Sequence, residues 1–136
     1  MDYREAYEKA LQLLNVRFLS EGELKAKLRR RGVDDDVLKD VVAALEGEHF
    51  LDDQRLARDV YRYYARKGQY GHLYIVNRLR RRCLPVPEDV ERPDEYALAG
   101  NLVKRKFSYR ADEARKAARF LQYRGFSPSV IRDVLE

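Results

Sequence analysis

Leu28-Arg29-Arg30-Arg31-Gly32-Val33 reads as the end of a helix and the turn that follows it. The pattern recurs as Leu79-Arg80-Arg81-Arg82-Cys83-Leu84 and as Leu121-Gln122-Tyr123-Arg124-Gly125-Phe126. A left-handed glycine just past a helix lets the last carbonyls find donors without a Cβ penalty. With Gly32 and Gly125 in that role, Leu28 with Val33 and Leu121 with Phe126 become the pairs that touch in a Schellman motif. Arginines in the last turn oppose the negative end of the helix dipole, so the cap alone accounts for part of the Arg29 to Arg31 run.

The register extends beyond the cap. Val37, Leu38, Val41 and Val42 lie 93 positions before Val130, Ile131, Val134 and Leu135, the shift that also carries Gly32 onto Gly125. One offset shared by two helices indicates a small helical unit written three times. A chain of 136 residues with 38% charged side chains suits a short array of units with thin cores. The expected fold is all-α, with three tandem three-helix repeats over residues 1–47, 48–93 and 94–136.

In repeat one, Ala6, Ala10, Leu13 and Leu14 form one helix face, Ser20 and Glu23 make a capping box, and Asp34-Asp35-Asp36 opens a third helix with Val37, Leu38, Val41, Val42 and Leu45 inward. Gly47 is expected to end that helix. In repeat two, Asp52 as N-cap sets Leu51 and Leu56 as a hydrophobic staple. The helix it opens turns Ala57, Val60, Tyr61 and Tyr64 inward and Arg55, Arg58, Arg62 and Arg66 outward. A second helix from about Gly71 to Arg82 buries Ile75 and Leu79, and Pro85, Pro87 and Pro93 leave room for a short third helix around Val86 to Glu91. That proline-rich stretch is the expected bend. Cys83, standing where the other repeats have glycine, reads as a small buried residue; being the only cysteine, it excludes an internal disulfide and fits a cytoplasmic setting. In repeat three, Ala114, Ala117, Ala118 and Leu121 form a core stripe, and Ser127-Pro128 starts the last helix as N-cap and N1.

Net charge is +5, unevenly spread. Residues 1–46 hold 9 Lys and Arg against 10 Asp and Glu, residues 47–93 hold 10 against 7, and residues 94–136 hold 9 against 6. An anionic partner meeting repeats two and three is the physical implication. Tyr61, Tyr63, Tyr64, Tyr70 and Tyr74 share the basic segment; Tyr61 and Tyr64 lie on the apolar face, which leaves Tyr63 and Tyr70 as rings able to stack on a base or a partner protein. Catalysis finds little support. The Asp34 and Asp52 clusters sit where helix starts favour negative charge, His49 and His72 have no ligand partners at metal spacing, and no phosphate loop or nucleophile elbow is present. No metal or cofactor is implied. No apolar run approaches a membrane span.

These residues resemble the RecX regulatory proteins, which modulate the bacterial recombinase RecA. The resemblance rests on Arg17 to Leu24 with Lys27-Leu28 and Gly32-Val33, on Phe50-Leu51-Asp52-Asp53-Gln54-Arg55-Leu56-Ala57 with Gly71 and Ile75, and on Arg119 to Phe126 with Ile131. The chain departs from the family pattern at Cys83, usually glycine, and at His72, commonly proline. The resemblance implies a curved, elongated array lying in the groove of the RecA filament on single-stranded DNA, where it limits filament growth, strand exchange and LexA cleavage. It implies action by binding, so that Ser20, Asp52, Gly71, Gly125 and Phe126 shape the repeats. Charge nominates the contacts: Arg55, Arg58, Arg62, Arg66, Lys67, Arg80, Arg81, Arg82, Lys104, Arg105, Lys106, Arg115 and Arg119. The expected partners are RecA and single-stranded DNA, with double-stranded DNA a further candidate, and the expected state is a monomer. Two other readings stay open, a stand-alone nucleic-acid-binding module and a helical protein scaffold.

Overall fold

Short oxygen-bearing side chains set the helix starts. In the computed structural model, which describes residues 1–107 and 113–136, these residues form eight α-helices and no strand. They are α1 (Tyr3–Val16), α2 (Glu21–Arg30), α3 (Asp35–Gly47), α4 (Asp53–Arg66), α5 (His72–Arg81), α6 (Glu95–Lys106), α7 (Ala114–Tyr123) and α8 (Pro128–Leu135). The capping box is present: Ser20 Oγ accepts the Glu23 N–H at 3.1 Å, and Glu23 Oε1 accepts the Ser20 N–H at 2.9 Å. Asp2, Asp52, Asp94 and Ser127 each accept the N–H three residues on, capping α1, α4, α6 and α8.

The helix ends follow the glycines. Val33 N–H donates to the Leu28 carbonyl at 3.2 Å and Phe126 N–H to that of Leu121 at 3.1 Å, with φ of 84° at Gly32 and 85° at Gly125. Both α2 and α7 therefore close in Schellman motifs. Helix α3 does end at Gly47, but the left-handed residue is His49, at φ 65°, with Phe50 N–H on the Leu45 carbonyl at 2.9 Å.

The chain forms two compact units, residues 1–57 with 80–86 and residues 58–79 with 87–136. Each holds one full repeat and a share of the middle one. In the first, α1 packs on α2 and α3 around Ala6, Ala10, Leu24, Leu28, Val41 and Leu45, all fully buried. Each leucine so buried contributes about 1.5–3 kcal/mol. In the second, α8 packs on α6 and α7 around Ala99, Ala117, Leu121, Phe126 and Val130. Tyr61, Ile75 and Leu79 are also fully buried there.

Three expectations are corrected. The middle repeat has no third helix: residues 84–94 are irregular, because Pro85 and Pro87 lack N–H donors and push Leu84 and Val86 away from helical backbone. Cys83 takes the cap conformation, with φ 57°, yet is exposed. A Cβ added to Gly22 would come within 2.7 Å of the Cys83 Cβ, so one side of the cysteine rests on the Gly22 backbone while the rest faces solvent. Ala114, expected in the core stripe, is exposed at the first position of α7.

Candidate nucleic-acid interface

Arg62 and Arg66 are exposed and one turn apart on α4, so they share a face of that helix. Arg58 is half-buried, its Nη1 3.6 Å from Asp89, and part of its charge is answered locally. Lys67 lies just past the helix with its ammonium 4.7 Å from the centre of the Tyr63 ring. A hydrogen bond with Tyr63 and the charge of that phenol raise its pKa; desolvation opposes them, and Tyr70 and Tyr64 add lesser contributions upward. Farther along the second unit, Lys104, Arg105 and Lys106 are exposed in the last turn of α6, and Arg115 and Arg119 are exposed on α7. The Lys106 ammonium lies 4.5 Å from the Phe120 ring, which ties the end of α6 to α7.

In the first unit, Arg55, Arg80 and Arg81 are exposed, whereas Arg82 is committed to the fold. It donates to both carboxylate oxygens of Glu23, at 3.0 and 3.3 Å, and to the Phe18 carbonyl at 2.8 Å. Burial alone would raise the Glu23 pKa, but bonds from Arg82 and from the Ser20 amide, with the charges of Arg82 and Arg17, outweigh it and leave the carboxyl lowered.

The tyrosines form one connected cluster. Tyr70 and Tyr74 stack at 3.9 Å with planes 5° apart, and Tyr64 meets them edge-on at 6.0 and 5.9 Å. Tyr63 in turn meets Tyr64 edge-on at 5.1 Å. Tyr61, as its spacing implies, is core, sharing a 2.8 Å hydrogen bond with His72 Nδ1. Tyr70, expected as a free ring, has a face occupied by Tyr74; Tyr63 remains more than half exposed.

Two arginines that charge counting passed over belong to this cluster. Arg78 donates to the Tyr74 hydroxyl through Nε at 3.1 Å and Nη2 at 2.8 Å, and its guanidinium lies 5.1 Å from that ring. Arg124 sits 5.5 Å from the Tyr70 ring and donates to the Gln69 side chain at 2.6 Å. Burial would raise the Tyr74 phenol, but bonds with Arg78 and Tyr70 and the charges of Arg78 and Arg124 bring its pKa below the usual value. A helical i, i+4 spacing joins Tyr74 to Arg78 and was available in the sequence. Nothing in a helical pattern connects Tyr70, which lies in the turn before α5, to the face of Tyr74.

Among the described residues no group of three or more His, Cys, Asp or Glu could hold a metal ion, and no helix is long and apolar enough to cross a membrane. Two three-helix repeats and a two-helix middle repeat, with exposed cations and a ring cluster, define an all-α helical-repeat protein. The model of the first three-helix domain of RecX matches residues 6–45, and that of the third matches residues 93–135. Regulatory protein RecX of Halorhodospira halophila is 38% identical, covering 90% of this chain and 81% of its own. Regulatory protein RecX of Geobacillus kaustophilus is 29% identical over 98% of this chain, which spans 54% of that relative's length. The crystal structure of RecX from Lactobacillus salivarius shares the fold, with a TM-score of 0.81 at 23% identity, covering 98% of this chain and 94% of that one. The chain belongs to the RecX family.

Proposed function

We propose that this protein is a non-enzymatic regulator that binds the RecA filament on single-stranded DNA. By binding, it inhibits the recombinase and coprotease activities and so modulates recombinational repair and the SOS response. The observation that carries the reading, beside the membership in a family of regulatory proteins, is the excess of exposed positive charge in the second unit, where Arg62, Arg66 and Lys67, Lys104 to Lys106, and Arg115 with Arg119 are all exposed. A filament of phosphates and acidic protein surface attracts such faces, with an affinity that falls as salt rises. Arg55, Arg80 and Arg81 are further contacts. Arg82 and Arg58 are weaker ones, since local carboxylates already hold them. The protein acts as a monomer in the cytoplasm, with no cofactor.

The test is RecA ATPase and strand exchange on single-stranded DNA, with this protein added far below the recombinase concentration. Inhibition is expected. A folded sample that leaves both activities untouched while binding bare DNA tightly would identify a stand-alone nucleic-acid module instead; one that binds neither would leave the scaffold reading.

A further inference from the structure

The cluster around Tyr63 has a geometry that charge alone does not explain. Tyr63 is 56% exposed, while the rings behind it form a fixed base: Tyr64 meets it edge-on at 5.1 Å and rests edge-on against the Tyr70 and Tyr74 stack. Arg78 pins Tyr74 through two hydrogen bonds, and Arg124 flanks Tyr70. An exposed ring whose tilt is set by its neighbours loses little freedom when another flat group settles on it. Lys67, four residues on, holds its ammonium 4.7 Å from the same ring.

From this we infer that Tyr63 is a stacking site for an unpaired nucleobase, with Lys67 serving the adjoining phosphate, and that it makes this face select single-stranded over duplex DNA. A free base in a single strand offers a face to an aromatic ring, and every base has one, so such a site tolerates any sequence. In a duplex those faces are taken up by neighbouring base pairs, and only the phosphates remain for Arg62, Arg66 and Lys67 to meet. Tyr70 and Tyr74 are poorer candidates, because each has one face covered by the other at 3.9 Å and both are half-buried. Asp59, exposed one turn before Tyr63, marks the edge of the site, where a phosphate would be repelled. The inference rests on the reading of this surface as the DNA-facing one and adds to it a discrimination between strand states.

The chain has ten tyrosines and no tryptophan, so stacking is directly visible as quenching of tyrosine emission. The experiment titrates the full chain with oligothymidylate and with a duplex of equal length, following anisotropy over a range of salt, for the wild type, Tyr63→Leu and Tyr63→Phe. Tyr63→Leu is expected to weaken oligothymidylate binding roughly tenfold, the scale of one base stack, and to leave duplex affinity and the salt slope unchanged. Tyr63→Phe restores the ring and the affinity. Equal weakening on both DNAs, or none on either, overturns the stacking site. RecA inhibition by the same three proteins separates this outcome from the fate of the regulatory reading. Wild-type inhibition with oligothymidylate binding indifferent to Tyr63 removes the stacking site alone. Tyr63-dependent binding without RecA inhibition removes the regulatory role alone.

Discussion

Arg82 donates to the carbonyl oxygen of Phe18 at 2.8 Å, and the same bond is made one repeat later by Arg124 to the carbonyl of Gln69, at 3.4 Å. Each arginine is the residue before the left-handed cap of its repeat's second helix, and each carbonyl lies two residues before the N-cap position of the preceding repeat's second helix. A companion bond repeats with it. The first amide of α2, on Glu21, donates to Asp53 at 2.9 Å, and the first amide of α5, on His72, donates to Glu95 at 2.8 Å. Each acid comes from the first turn of the next repeat's first helix, so an orphan helix N–H of one repeat is satisfied by a carboxylate of the next. Consecutive repeats are clasped by the same polar bonds, each clasp lying within its own compact unit.

Replacing Arg82 with methionine keeps the stem and removes the clasp. The Phe18 carbonyl then loses its charged donor and the partly buried Glu23 carboxylate keeps only the looser pairing with Arg17, 3.9 Å away, at a cost of about 1–2 kcal/mol after solvent screening. Urea or thermal unfolding should register that difference. The salt dependence of DNA binding should stay at its wild-type value, because the Arg82 charge is spent on the fold; a shallower salt slope would return Arg82 to the DNA-facing set.

Gly32 and Gly125 share a backbone conformation, φ 84° and 85°, but not surroundings. A Cβ on Gly32 would meet nothing within 4 Å, whereas one on Gly125 would lie 2.2 Å from the Tyr74 amide nitrogen. Gly71 closes the same junction from the other side, its N–H donating to the Arg124 carbonyl at 2.8 Å. Gly32→Ala should therefore cost only the left-handed penalty, about 1 kcal/mol. Gly125→Ala adds a backbone displacement and should cost about 3 kcal/mol or more. Equal destabilisation of the two variants in chemical denaturation would contradict this picture of the junction.

Cys83→Gly should stabilise the protein by about 0.5 kcal/mol. Relief of a non-glycine residue at φ 57° exceeds, though not by much, the packing on Gly22 that the variant gives up and the extra freedom of glycine in the unfolded chain. A denaturation midpoint below that of the wild type would mean that the cysteine's packing on Gly22 outweighs its strain.

Burial lowers the His72 pKa from 6.5, Arg92 lowers it further, and Glu95 opposes both more weakly. The folded state thus favours neutral imidazole while the unfolded chain takes up a proton more readily. The stabilisation is fully present above the unfolded pKa of 6.5 and is lost as pH falls from there through the folded value. Stability should fall as pH drops from about 7 to about 5.5, and the slope should be reduced in His72→Gln, which keeps an acceptor for Tyr61 but does not titrate. Wild-type and variant melting temperatures that run parallel across this range would exclude the histidine as the cause.

The repeat was legible because helix caps are local. Gly32 and Gly125 stand between a leucine and an apolar residue at fixed spacing, and Cys83, at the same place in that register, takes the same left-handed conformation. Its exposure did not follow from the register, since burial depends on what docks at the cap. The missing third helix of the middle repeat shows a local rule overriding repetition: with Pro85 and Pro87 two residues apart, the analogy to repeats one and three could not hold. Among the nominated arginines, Arg82 sits in a run with Arg80 and Arg81, and charge cannot separate them. Only its position as the last residue before the cap of a repeat that follows another, shared with Arg124 but not with the exposed Arg31 of repeat one, marks it as structural. The Tyr70 and Tyr74 stack joins a turn to a helix and left no periodic trace.

Charge removal at Arg62 and Arg66 tests the binding face with the least risk to the fold, since both side chains are exposed and no ion pair is formed by either within the described residues. Each phosphate that the protein no longer neutralises should lower the slope of log affinity against log salt by about 0.7 on single strands and about 0.9 on duplex. An Arg62→Gln/Arg66→Gln double variant should therefore be shallower by about 1.4 on oligothymidylate. Unlike Tyr63→Leu, it should weaken single-stranded and duplex binding alike, and it should raise the concentration needed to inhibit strand exchange. If the slope and the inhibition both stay at wild-type values, the α4 arginines form a solvated face, and the DNA-facing cations must be sought among Lys104, Arg105, Lys106, Arg115 and Arg119.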